Sequence, residues 1–112
     1  MYSGDVLLVL GNEYNAEILG ATDEPRSAQA LSDELDIPIA TCYRRIEELE
    51  EADLLEHQGR VLSEERRRVS VYRRTVDRIV VNFDDGNYTV NVAGRADVKN
   101  KLDEVWRSLS TP

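Results

Sequence analysis

The sequence predicts an α+β chain: four short helices, then two β-hairpins, then a last helix. Three observations carry that prediction. Apolar residues recur at helical spacing from residue 12 to residue 51 and again over 98–109. From Leu54 onward the apolar period changes to two. Asp85-Gly86 stands between two alternating runs, RIVVNF and YTVNV, a strong hairpin signal. The order contains no strand–helix–strand unit of the kind that builds a parallel sheet.

The first helix covers the VLLVL run at 6–10, with Ser3 or Asp5 as its cap. A helix apolar on every side must be buried on every side, and so small a chain can hardly surround its own terminal helix. A second subunit is expected to cover it. Gly11 and Asn12 punctuate, and Asn12 is a plausible cap for a second helix to about Gly20 with Tyr14, Ile18 and Leu19 inward. Residues 22–25 read as a polar turn. Ser27 then caps a third helix that turns Ala28, Leu31 and Leu35 to one side.

Leu35-Asp36-Ile37-Pro38 is a tight turn, and Pro38 suits the first position of a fourth helix, 38–51. Cys42, Ile46, Leu49 and then Leu54 share one stripe of it. A strand begins with Leu55, His57 and Val61, residues 62–66 form a loop tip, and 67–75 return with Val69, Val71 and Tyr72 packing. Ala93-Gly94 ends the second hairpin. The last helix, about 95–110, places Val98, Leu102, Val105, Trp106 and Leu109 on one face. The whole reads as a single domain, 1–112.

One hundred and twelve residues suffice for a modest core, and 41% apolar content argues against wholesale disorder. No run approaches the roughly 20 apolar residues that span a bilayer, and the N-terminus carries no signal-peptide pattern. A single cysteine excludes an internal disulfide and fits a reducing cytoplasm. The formal charge is −8, and only Lys99 and Lys101 among the 14 basic residues are lysines. Such an acidic, lysine-poor surface suits a protein that lives in molar salt, so a halophilic source is expected; an ordinary acidic cytosolic protein is the plainer reading.

The positive charge is localised. Residues 60–78 hold seven arginines against Glu64, Glu65 and Asp77, a net +4, so the remainder of the chain carries −12. Two more arginines, Arg44 and Arg45, sit near the start of the fourth helix. Thr41, Tyr43, Arg44 and Arg45 fall largely off its apolar stripe, so the helix is anchored on one side and presents polar donors on the other. A helix that reads the DNA major groove has this construction. Arginine reads guanine O6 and N7 with two bonds, or neutralises phosphate. The rest of the outward face, Glu47, Glu48, Glu50 and Glu51, is acidic and would be repelled by phosphate, so only the N-terminal half can approach a duplex. The plain alternative pairs Arg44 and Arg45 with Glu48 and leaves them solvated.

The segments LVLGNEYNAEILGAT and SAQALSDELDIPIATCYRRIEELEEADLLE resemble the winged helix-turn-helix of ArsR-type regulators, especially haloarchaeal ones. The resemblance covers roughly residues 6–75 well and 76–110 more loosely. It implies a helix-turn-helix over about 27–51, a wing over about 54–76, an additional hairpin over about 77–92 and a C-terminal helix for dimerisation. It also implies DNA contacts from Thr41, Tyr43, Arg44 and Arg45 on the helix and from Arg60, Arg66, Arg67 and Arg68 on the wing. Asp53 stands where the family usually has glycine; aspartate tolerates the left-handed backbone that glycine would supply. The Cys-x-Cys metal box of many such sensors is absent, so metal sensing is not carried over.

Other candidates carry less. Cys42 is a redox sensor on the reading helix or, by its spacing to Ile46 and Leu49, a core residue. One histidine, His57, and one cysteine make a poor zinc set. Asp84-Asp85 sit at a turn, where aspartate is favoured for backbone reasons. Trp106 and its stripe form a ligand pocket or, more ordinarily, a dimer contact with the VLLVL helix. No phosphate loop, nucleophile elbow or metal-helix motif is present. The expectation is therefore a cytoplasmic, sequence-specific regulator of transcription, not an enzyme, with no cofactor or metal. It would bind double-stranded DNA as a homodimer through the VLLVL helix and the C-terminal helix with Trp106. The other reading is a winged-helix module that binds protein through its acidic body.

Overall fold

The computed structural model describes residues 3–95. In chain order they form α1 (Ser3–Gly11), α2 (Asn15–Ala21), β1 (Arg26–Ser27), α3 (Ala28–Leu35), α4 (Ile39–Glu51), β2 (Leu55–Leu62), β3 (Arg68–Arg74), β4 (Val76–Asp84) and β5 (Asn87–Gly94). The chain divides into two compact units, Met1–Arg74 and Thr75–Pro112. The helix expected at about 95–110, with its Trp106 stripe, lies outside the described residues.

In the first unit Leu31, Cys42, Ile46, Leu49 and Leu54 are buried together with Ile18 and Leu19 of α2. The helix ends that frame this core are stopped by specific backbone devices. Ser27 is extended, and its Oγ accepts from the Ala30 N–H at 3.1 Å, the capping bond expected of it. At the other end of α3, Asp36 turns left-handed (φ 55°), and the Ile37 N–H returns to the Ser32 carbonyl at 3.0 Å. The Ser32 hydroxyl closes the same turn by donating to the Ile37 carbonyl. Pro38 then stands as N-cap rather than as first helical residue, with its carbonyl accepting from Cys42 N–H at 2.9 Å.

Helix α4 ends in a Schellman pair. Leu54 N–H bonds to Leu49 carbonyl and Asp53 N–H to Glu50 carbonyl, both at 3.0 Å, with Asp53 at φ 58°. Asp53 takes the left-handed conformation at the position where the resemblance implies glycine. Leu49 and Leu54 are both buried, which supplies the apolar contact this motif usually carries. Leu55 follows at once as the first residue of β2, so the end of α4 fixes where the wing starts.

β1, β3 and β2 form an antiparallel sheet in that order, with Arg26 opposite Tyr72 and Leu55 opposite Arg74. The register shifts between His57 and Gly59, and Gly59 takes φ 117°, a bulge that only glycine enters without strain. The wing tip is a tight turn: Arg66 N–H donates to Ser63 carbonyl at 2.9 Å and Arg67 N–H to Ser63 Oγ at 3.2 Å. Arg66 itself is left-handed.

The second unit shows β4 and β5 as one antiparallel ribbon. Asp84 and Asn87 close it around Asp85-Gly86, whose φ values of 48° and 78° make the two-residue turn that Asp-Gly signals.

Several expectations change. Asn12 does not cap α2, which starts at Asn15 behind a left-handed Tyr14 (φ 73°) without a side-chain cap. Tyr14 is half-buried rather than inward. Thr22, placed in a polar turn, is fully buried, donating from Oγ1 to Ile18 carbonyl at 2.9 Å and accepting from Arg74 N–H at 3.0 Å. Strand β1 is two residues long, below the reach of any periodicity, and exists because β3 offers it an edge. In α1, Val6 is buried and Leu8 is 72% exposed.

Replacing Ser27 by alanine removes the α3 cap and is expected to cost about 1 kcal/mol. Urea unfolding of both proteins at one salt concentration measures it; an unchanged midpoint and slope would mean the cap contributes nothing.

Candidate nucleic-acid interface

Three side chains set the rotation of α4. Cys42, Ile46 and Leu49 are buried, and the Cys42 thiol donates to the Ala28 carbonyl of α3 at 3.4 Å. Burial also pushes that thiol's pKa up, which favours the inert protonated form. Cys42 is thus a core residue that ties the two helices together.

With that face fixed, the first two turns of α4 present Ile39, Ala40, Tyr43 and Arg44 to solvent, Tyr43 with 55% of its surface exposed. Thr41 is half-buried and accepts at Oγ1 from Arg44 Nη2 at 3.4 Å. Arg45 departs from the expectation that all four polar residues point outward. It is half-buried, and its Nη1 bonds Glu48 Oε2 at 3.0 Å, an i,i+3 ion pair.

Glu48 was assigned to a solvated acidic face, and the structure corrects this. Its Oε1 accepts from Asn12 Nδ2 and, at 3.0 Å, from Asn15 Nδ2, while Oε2 takes Arg45. Asn15 is fully buried and also donates to Val9 carbonyl at 2.6 Å. One carboxylate of α4 therefore binds the α1–α2 turn and the start of α2. Burial pushes its pKa up, but the bonds from Asn12, Asn15 and Arg45 outweigh burial and hold it below the usual carboxylate value. Nothing in the sequence marks Asn12 and Asn15 as partners of a residue more than thirty positions away; a short Gly-Asn turn was the visible signal, and it suggested a cap.

The basic run divides by role. Arg73 Nε donates to Asp23 carbonyl at 3.0 Å and Arg74 Nη1 to Leu19 carbonyl at 3.1 Å. Arg26 Nε adds a 3.4 Å bond to Ala21 carbonyl. These three satisfy carbonyls at and beyond the C-terminus of α2, where positive charge also suits the helix dipole. Arg60, Arg66, Arg67 and Arg68 are exposed on the wing.

Between α4 and the wing lies a cleft of about 290 Å³, lined by Ser27, Ala28 and Gln29 at the start of α3, by Tyr43, and by Arg60, Arg68, Val69, Ser70 and Tyr72. It brings α4 and two wing arginines to one side of the unit. Arg66 and Arg67 stand farther along the same hairpin at its tip. Tyr72 packs edge-on against His57, with ring centroids 5.6 Å apart. Burial, then the neighbouring Glu50, raises the Tyr72 pKa, so its hydroxyl keeps its proton and remains a donor. Ser27, Gln29, Ser70 and Tyr72 were not legible as cleft residues, because their meeting depends on the β1–β3 pairing.

Among the described residues no group of histidine, cysteine and carboxylate side chains is placed to hold a metal, and no helix is long and apolar enough to cross a membrane. A family model described as a helix-turn-helix domain matches residues 10–58, rather less than half of the chain. No curated protein sequence matches. The match spans α2, α3, the Asp36 turn, α4 and the first residues of the wing. The fold is accordingly an α+β helix-turn-helix carrying a β wing, with an additional hairpin, and a domain of this kind points to a DNA-binding regulator.

Glu48 yields a signed pH dependence. A carboxylate held below its unfolded pKa adds stability that is fully present above about pH 4.5, the unfolded value, and is lost as pH falls through the folded one. Glu48→Gln should therefore unfold more easily than the parent at pH 7, and the gap should narrow as pH drops toward 3. Denaturant titrations across that range test it; a gap constant with pH would show the charge of Glu48 to be irrelevant.

Proposed function

We propose that the chain is a sequence-specific DNA-binding regulator of transcription that acts as a homodimer. The observation that carries the reading is the cleft shared by Tyr43 of α4 with Arg60 and Arg68 of the wing. A duplex laid against that side would receive the N-terminal half of α4 in its major groove and the wing along its backbone or minor groove.

The roles divide by reach and freedom. Tyr43 and Arg44 are exposed near the start of α4 and are the candidates for base edges, with Thr41 beside them. Arg45 would act with its guanidinium held by Glu48, which restricts its direction. Arg60 and Arg68 would grip a phosphate at the cleft, with Ser27, Ser70 and the protonated Tyr72 as neutral donors, and Arg66 and Arg67 would reach the flanking strand. The exposed Glu47 and Glu51 at the far end of α4 keep that end off the phosphates.

Two copies suit paired half-sites about one helical turn apart. The exposed Leu8 on α1 supports a subunit contact there, and residues 96–112 with Trp106 are assigned to the same association. The acidic, lysine-poor composition supports a halophilic, archaeal setting and the haloarchaeal ArsR-like grouping. In such salt, phosphate contacts weaken: six of them would lose about eight decades of affinity between 0.1 and 3 M. Base contacts by α4 would then carry a larger share of binding than they do in dilute buffer.

Duplexes selected from a random library by the full-length protein in molar salt provide the test. Arg44→Ala is expected to weaken binding to the selected site by about 1–3 kcal/mol and to relax base preference. Neutralising Arg66 and Arg67 should weaken selected and random duplexes alike. Affinity should fall with salt far less steeply than the phosphate count alone requires, or rise as cations settle beside the acidic surface. Equal binding by the Arg44 variant would remove α4 as the reading element. Retention of a protein partner with no duplex bound at any salt would replace this reading with that of a protein-binding module.

A further inference from the structure

The first turn of α4 is apolar where it meets solvent, and the DNA contacts proposed for this helix leave that part unused. Pro38, Ile39 and Ala40 are all exposed, Ile39 with 39% of its surface free. The core takes Cys42, Ile46 and Leu49 from this helix, and Ile39 and Ala40 stay outside it. The turn holds no carboxylate, although the chain has 22 acidic residues and a helix N-terminus favours negative charge. Residues four apart on a helix are neighbours on its surface. Ile39 therefore adjoins Tyr43, and Ala40 adjoins Arg44. The Arg44 guanidinium leans toward Thr41, whose Oγ1 it reaches at 3.4 Å, and Ala40 stays exposed beside it. The four residues make one exposed patch that is apolar at its N-terminal edge.

We propose that Ile39 and Ala40 read the 5-methyl groups of thymines in the major groove, so that each half-site carries thymine at the base pairs nearest the start of α4. The inference rests on the DNA reading above and adds which bases the helix start selects. Thymine is the base that puts an apolar group on the major-groove edge, and apolar side chains recognise it. The charge around the patch suits a duplex. Arg44 is exposed next to Ala40, and Tyr43 lines the cleft that holds Arg60 and Arg68. The exposed carboxylates of α4, Glu47 and Glu51, lie two turns or more beyond Ile39. A duplex brings phosphates to these arginines and methyl groups to the patch at once. The spacing also fits. Consecutive Cα atoms stand about 3.8 Å apart, close to the roughly 3.4 Å rise between base pairs. Ile39 and Ala40 can thus meet methyl groups on neighbouring base pairs.

Discrimination follows from burial. Covering one methyl group is worth roughly fourfold in affinity. The amino group of a cytosine or adenine at the same place would lose water to an alkyl side chain and gain no acceptor. The methyl contact carries no charge, so ions do not screen it. Phosphate contacts weaken steeply as salt rises, and selection at the helix start persists where the grip on the backbone fades. The first two turns of α4 then discriminate by two physical means, hydrogen bonds from Arg44 and apolar contact from Ile39 and Ala40.

Deoxyuridine tests the inference, since it pairs as thymine does and lacks only the methyl group. Duplexes selected from a random library by the full-length protein are remade with each thymine replaced in turn. At one or two thymines per half-site the replacement should weaken binding roughly fourfold, and by the same factor at low and at molar salt. In Ile39→Ser or in Ala40→Ser that loss should vanish at the matching thymine. Both residues are exposed, so neither change disturbs the core. Selected sites without thymine, indifference of every thymine to deoxyuridine, a loss that persists in both variants, or one that fades with salt would each overturn this inference and leave the DNA reading in place. A library that yields no duplex would overturn the DNA reading itself, and this inference with it.

Discussion

The burial of one stripe on α4 is the constraint from which the rest of the first unit follows. Cys42, Ile46 and Leu49 can all face the core only at one rotation of the helix, and that rotation leaves Tyr43 and Arg44 outside. Burying three such side chains is worth several kcal/mol, at about 1.5–3 kcal/mol for a large aliphatic one. No surface ion pair competes with that, since exposed pairs contribute about 1 kcal/mol or less. The direction in which Tyr43 and Arg44 point is therefore a consequence of core packing. The Schellman turn extends the same logic, because Leu54 completes the stripe while Asp53 turns the chain left-handed, and the wing leaves α4 at an angle the core has set.

Charge refines what packing has fixed. In a chain with an excess of carboxylates, each arginine has an acidic competitor, and the structure separates those with structural work from those without it. Arg26, Arg73 and Arg74 bond to backbone carbonyls around the end of α2. Arg45 is held by Glu48. Arg44, Arg60, Arg66, Arg67 and Arg68 keep their guanidinium groups at the surface. Glu48 differs from the other glutamates of α4 because two asparagines satisfy it from outside the helix. A half-buried carboxylate without such donors would cost stability; with three donors it becomes a latch between α4 and the α1–α2 turn.

Much of this was legible in the sequence where one local rule decides. Ser27 as cap, Asp36 and Pro38 at the turn, the period change at Leu54 and the Asp85-Gly86 hairpin each depend on neighbours within a few positions. The exposed positions of Tyr43 and Arg44 followed from the helical period, and the wing arginines from the resemblance and the clustered charge. The illegible features join distant parts of the chain. β1 exists only beside β3, Thr22 is buried only because the Arg74 amide reaches it, and Asn12 turned from a cap into a partner of Glu48. Arg45 shows the same limit at the candidate site. Helical spacing placed it off the stripe, but its restraint comes from a carboxylate that Asn12 and Asn15 have already oriented.

The latch ties the seating of α1 to that of α4. Asn15 reaches back to the Val9 carbonyl near the end of α1 while its same amide nitrogen serves Glu48 on α4. The amide has no spare donor once both bonds are made, so a displacement of the α1 end stretches one bond or moves Glu48. Arg45, bonded to the other oxygen of that carboxylate, would follow. One buried side chain, Asn15, thus bonds the end of α1 to Glu48 of α4. The apolar stripe is indifferent to small shifts along α1, because dispersion contacts are many and individually weak. The hydrogen-bonded path is directional, so a shift of the α1 end acts first on Glu48 and on the Arg45 bonded to it.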